Sequence, residues 1–154
     1  MNTERLLKLA DFLDDLAPEK FDFSRVIHRC GTVGCAIGWT ATVFPELVGL
    51  SILEEQDHSD EKDQYTWKTG VKWLGTENPG WAGHNYAWVA EKLFDISMQE
   101  GFKLFTCDQR RQWTAESSLD ALATPKEVAQ SIRQFIAWKS PVAVPEPVLE
   151  LAAV

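Results

Sequence analysis

Residues 30–39 read CGTVGCAIGW. Two cysteines, three glycines and a tryptophan fall within ten positions. Whether this stretch is a helix start or a chemical site decides how the rest of the chain is read. Gly31 supplies the backbone freedom that a sharp entry needs, and Thr32 is a residue type that caps a helix. Pro45 stops the run, because the residue before a proline avoids the helical region. A helix is therefore expected to start near Thr32, with Cys35 in its first turn, and to end ahead of Pro45. Gly34 and Gly38 would share one side of it, open to the close approach of a second helix, with Ala41 and Thr42 extending that small surface. An unpaired cysteine commonly packs as a small hydrophobe. On this reading every residue of the motif serves packing.

Working outward, residues 3–16 set Leu6, Leu9, Ala10, Leu13 and Leu16 on one helical stripe. Thr3 is the expected cap and Pro18 the stop. Beyond Pro45, residues 47–53 and 65–67 suggest two short strands, hence a hairpin around the acidic run at 54–61. Residues 75–85, GTENPGWAGHN, read as an irregular loop. A helix follows over 85–95 with Tyr86, Val89, Ala90, Leu93 and Phe94 on its apolar face. Ser97-Met98-Gln99-Glu100 is a capping box opening a short helix, with Met98, Phe102 and Phe105 expected inward. Thr124-Pro125-Lys126-Glu127 is a second capping box with proline at the first helical position. Its helix is expected to bury Val128, Ile132, Phe135 and Ile136. The tail SPVAVPEPVLELAAV holds three prolines and no glycine. The fold class expected is mainly α: one compact domain of five or six helices over residues 1–139, with one small β-hairpin, and an extended proline-rich tail over 140–154.

The chain has 154 residues, 45% of them hydrophobic and 25% charged, which suits a single folded domain. Fifteen basic and 23 acidic residues leave a net charge of −8, which repels nucleic-acid phosphate and argues against general nucleic-acid binding. No apolar run reaches membrane-spanning length. Three cysteines, without the basic-then-apolar pattern of a leader, point to a reducing cytoplasm. No phosphate-cradling glycine loop and no serine nucleophile elbow is present.

The order of these features resembles a family of small uncharacterised bacterial and phage-encoded proteins. The likeness rests on Cys-Gly-Thr, two residues, Cys, two residues, Gly at 30–38, then AEKLFDIS at 90–97 and TPKEVAQSI at 124–132. It covers roughly residues 3–138, with an insertion at 54–85. The family has no known activity, so the likeness implies helices and transfers no catalytic residue.

Other readings of the motif stand beside packing. A cysteine in the first turn of a helix feels the positive end of the dipole, which favours the thiolate. Cys35 would then be a nucleophile, His84 its base, and Asn85 or Asp22 the orienting group, as in a cysteine-dependent hydrolase or transferase. Alternatively, His28, Cys30 and Cys35 offer three ligands for zinc, with Cys107 as a fourth. Cys30 and Cys35 could also close a redox disulfide. Separately, Trp81, Trp67 and Tyr65 are candidates for a binding surface, whereas Trp73 and Trp88 are expected to fill the core. The function expected from sequence is a non-catalytic module that binds a protein partner or itself, with no resident cofactor.

Overall fold

The computed structural model describes residues 1–22, 34–57, 64–76, 86–105 and 123–140. Five α-helices and one hairpin make up these residues: α1 (Thr3–Asp15), α2 (Ala36–Val43), β1 (Val48–Asp57), β2 (Gln64–Trp73), α3 (Tyr86–Phe94), α4 (Met98–Phe105) and α5 (Pro125–Lys139). The mainly helical class with a small antiparallel hairpin is as expected. The tail, at 141–154, lies outside the described residues.

α1 buries Leu6, Leu9, Ala10 and Leu13 of the stripe read from its spacing, while Leu16, the fifth member, is the C-cap and half-buried. Its cap is Asn2 rather than Thr3: the Asn2 side chain accepts the Arg5 N–H at 3.0 Å, and Thr3 is already helical. Asn is at least as good a cap as Thr, so one residue of extra helix forms. The same end of α1 closes α3. The Asn2 N–H donates to the Phe94 carbonyl at 2.6 Å, and the Arg5 guanidinium donates to the Leu93 carbonyl at 3.0 Å. These carbonyls are the unsatisfied acceptors of a helix C-terminus, where a cation is favoured. Asp95 then turns the chain with φ of 52°, a left-handed angle that aspartate tolerates better than most residues.

α5 packs along α1, and α3 pairs with α4. α2 joins α1 to the base of the hairpin, and β2 reaches α3. The hairpin register runs from Val48 opposite Trp73 to Asp57 opposite Gln64, so both strands are longer than the sequence suggested. Lys68 and Thr69, polar positions in β2, are carried by the ladder. Val48 and Val71 enter the core at the hairpin base. Phe94 sits at the centre of that core, stacked on Phe105 at 5.5 Å and edge-on to Phe44 at 6.2 Å. Each such aromatic pair contributes about 0.5–1.5 kcal/mol beyond the area it buries.

α5 follows its sequence reading closely. Thr124 accepts the Glu127 N–H, Glu127 accepts the Thr124 N–H at 2.7 Å, and Val128, Ile132 and Phe135 are buried, with Ile136 half-buried. On its outer side Arg133 bridges Asp11 at 2.8 Å and Asp14 at 2.7 Å, clamping α5 to α1. The two carboxylates hold the guanidinium's pKa above its ordinary value.

Candidate functional site

The cysteine motif proves to be a packed crossing. α2 starts at Ala36, so Cys35 is its N-cap, one step before the first turn, and not within it. Thr32 lies outside the described residues. Gly34 is also outside the helix and therefore shares no helix face with Gly38. Instead it forms an isolated parallel bridge to Phe21: the Asp22 N–H donates to the Gly34 carbonyl and the Gly34 N–H to the Lys20 carbonyl, both at 3.2 Å. That bridge consumes the backbone groups an earlier helix start would have used. Every residue from Gly34 to Thr40 is buried, and Cys35 is 2% exposed within the apolar core. Thr42, expected on the small face, is exposed. The Trp39 indole N–H donates to the Lys20 carbonyl at 3.2 Å, and its ring lies 5.7 Å from that of Phe12.

Of the groups nominated for chemistry, Asp22 is held through its backbone N–H to the carbonyl of Gly34, the residue before Cys35. His84, Asn85, His28, Cys30 and Cys107 lie outside the described residues, as does Trp81. Tyr65 and Trp67 stand in β2 opposite Gln56 and Glu54. Among the described residues, no three His, Cys, Asp or Glu side chains group as metal ligands. Trp73 packs half-buried against the core, as expected. Trp88 is also half-buried, with the Lys92 ammonium over its ring at 5.4 Å.

The surface that sequence reasoning misplaced is on α4. Its capping box forms as read: Ser97 Oγ accepts the Glu100 N–H at 3.2 Å, and Glu100 accepts the Ser97 N–H at 2.8 Å. The face, however, is rotated from the one expected. Gly101, Leu104 and Phe105 are buried, whereas Met98 is 41% and Phe102 is 49% exposed. The cause is Gly101. A Cβ there would meet Ala90 Cβ at 3.0 Å and the Ala87 carbonyl oxygen at 3.1 Å, so α4 lies on α3 along its glycine. At 100° per residue, the positions inward with Gly101 are 104 and 105, and Met98 and Phe102 swing to the flank.

Phe102 meets the Tyr86 ring at 5.9 Å, so a methionine and two aromatic rings adjoin at the outer α3–α4 seam. On the opposite flank, Glu100 pairs with Lys139 of α5 at 2.5 Å. Burial raises the Glu100 pKa, but the Lys139 hydrogen bond and those from Ser97 outweigh it, and the carboxyl ends below its ordinary value. Trp138, 57% exposed, stands near the same end of α5. A sequence signal for this face did exist. A glycine inside an eight-residue helix costs about 1 kcal/mol relative to alanine, which close packing must offset. Gly101 therefore marks the inward side.

Comparison with protein-family models, with curated proteins and with solved structures finds no match for the chain. Among the described residues, no helix is long and apolar enough to cross a membrane.

Proposed function

We propose that this protein acts by binding another protein chain, itself included, and that it does so without catalysis. The observation that carries the reading is the outward Met98–Phe102 pair beside Tyr86. Methionine and aromatic side chains are enriched at protein interfaces, where they supply large contact areas at low polar cost. The capping box and the glycine contact fix α4 on α3, so these side chains are presented from a rigid helix. A net charge of −8 adds a preference for partners that are not strongly acidic overall. The burial of Cys35 supports packing over thiol chemistry, because a nucleophile must reach its substrate.

The test is a photo-crosslinking phenylalanine analogue placed at Phe102 and, as control, at the exposed Gln134 of α5. In cells, the residue-102 probe is expected to give intermolecular adducts that the control lacks. Equal adducts at both positions, or none, would sink the reading.

A further inference from the structure

We infer that the outer edge of β1 pairs with the same edge of a second copy of the chain, joining two hairpins into one four-stranded antiparallel sheet. The α4 face takes no part in this contact, so either surface stands or falls without the other. The bonding pattern of the hairpin sets the edge. The Leu74 N–H donates to the Leu47 carbonyl at 2.9 Å, and the Val48 N–H donates to the Phe44 carbonyl at 2.9 Å, away from β2. Antiparallel partners alternate, so Leu50, two residues beyond Val48, also turns its N–H and C=O away from β2. Among the described residues no hydrogen-bond partner meets them. Burial agrees. Leu50 is 49% exposed, whereas Val71, directly opposite, is fully buried, and α3 packs on β2. Leu74, 46% exposed, reaches back across the pair to within 3.2 Å of where a Gly49 Cβ would stand. Residues 49 and 50 face opposite sides of the strand, so a strand added here meets leucine on both. Residues 48–53, VGLSIL, hold no charge and no proline, the devices by which edges are kept from pairing.

The hairpin also has reason to be extended. Each strand has ten residues, about 34 Å of chain, and Val48 and Val71 anchor it to the core at its base. A two-stranded hairpin is marginal in water, and three or more strands sharing an apolar face are stable. A second copy is the occupant that fits. One open edge per chain closes about a twofold axis with no edge left over, and the same leucines return from the other side. A strand from another source would present a new edge of its own. At about 0.15 M salt, charges are screened beyond about 8 Å, so the net charge of −8 on each copy does not forbid the contact.

The experiment is sedimentation velocity of the full chain in that salt over about a hundredfold range of concentration, with hydrogen exchange of the Leu50 amide at both ends of the range. A monomer–dimer equilibrium is expected, with the Leu50 amide exchanging about tenfold slower at the high end. Leu50→Lys places a charge on the edge. Leu50→Pro removes an N–H that serves no bond to β2, so the ladder is kept. Either variant should weaken the dimer by at least about tenfold, and melting at low concentration reports whether the fold survives. Leu7→Lys, at a half-exposed leucine of α1, should leave the dimer unchanged. A chain that stays monomeric throughout overturns the inference and leaves the edge to an extended strand of another protein. A dimer that both Leu50 variants leave intact overturns it, as does one weakened equally by Leu7→Lys. So does a dimer whose Leu50 amide exchanges at the monomer's rate. A series of ever larger species replaces the twofold pair by an open array and overturns it too.

Discussion

Replacing Gly101 by alanine sets two effects of known size against each other. In an exposed helix the change stabilises by about 0.8–1.0 kcal/mol through backbone entropy. Here the new methyl would lie 3.0 Å from Ala90 Cβ and 3.1 Å from the Ala87 carbonyl oxygen. Carbon–carbon contacts are optimal at about 3.5–4.0 Å, so α3 and α4 must part by several tenths of an ångström. Neither neighbour is the end of a flexible side chain that can turn aside. Overpacking of this kind costs about 1–3 kcal/mol. The expected net is a destabilisation of about 1 kcal/mol, or a fall in melting temperature of about 3 °C for a chain of this length. Urea and thermal unfolding both read it. Ala90→Gly in the same chain removes the nearer carbon, so the double variant should show a coupling of at least about 0.5 kcal/mol towards recovery. A Gly101→Ala protein that melts about 3 °C higher, without coupling to Ala90, would refute the close approach and with it the orientation assigned to α4.

Three further outcomes follow from the same arrangement. Phe102→Ser removes the Tyr86 ring contact and a half-exposed side chain and should cost about 1–2 kcal/mol, whereas Phe105→Ala, three positions along, should cost about 3–5 kcal/mol in urea denaturation. Glu100 has a lowered pKa in the folded protein, so its ion pair adds stability above the ordinary glutamate value of 4.5, and this is lost as pH falls through that value towards the folded one. The stability gap between wild type and Glu100→Gln should therefore narrow on acidification; a gap independent of pH would exclude the pairing with Lys139. Cys35 should resist alkylation in the native protein and react once the chain is unfolded, as peptide mapping would show; native labelling at the unfolded rate would place the thiol at the surface.

Much of the fold was legible because local signals agreed with one another. In α5 the capping box, the proline at the first position and the spacing of Val128, Ile132 and Phe135 point the same way, and the structure follows them. In α1 the stripe was legible but the cap was misplaced, because Asn2 and Thr3 are both capping residues and sequence alone does not choose between neighbours. α2 was harder. Gly34 pairs with Phe21 across the chain, a contact between residues 13 positions apart, and that pairing rather than local propensity sets where the helix begins. The hairpin was underestimated because Lys68 and Thr69 dilute the alternation that marks a strand, while cross-strand pairing with Leu53 and Ile52 extends it.

The α4 face was misread for a reason that bears on function. Met98, Phe102 and Phe105 match a helical period as well as Gly101, Leu104 and Phe105 do, since both sets contain Phe105 and differ by a rotation about the axis. Hydrophobicity alone favours the first set, because it holds the larger side chains. Packing selects the second, because α3 presents a backbone carbonyl and a methyl group that glycine meets without any shift of the two helices. The result leaves Met98 41% and Phe102 49% exposed on a well-capped helix, against the preference such side chains have for full burial. Rotating α4 to bury them would remove that cost, yet the buried glycine contact holds the helix in place. A local rule broken at one position, in an element otherwise consistent with its sequence, marks a surface with a use. That is why the outer face of α4, and not the cysteine motif that first draws the eye, is where a partner should be sought.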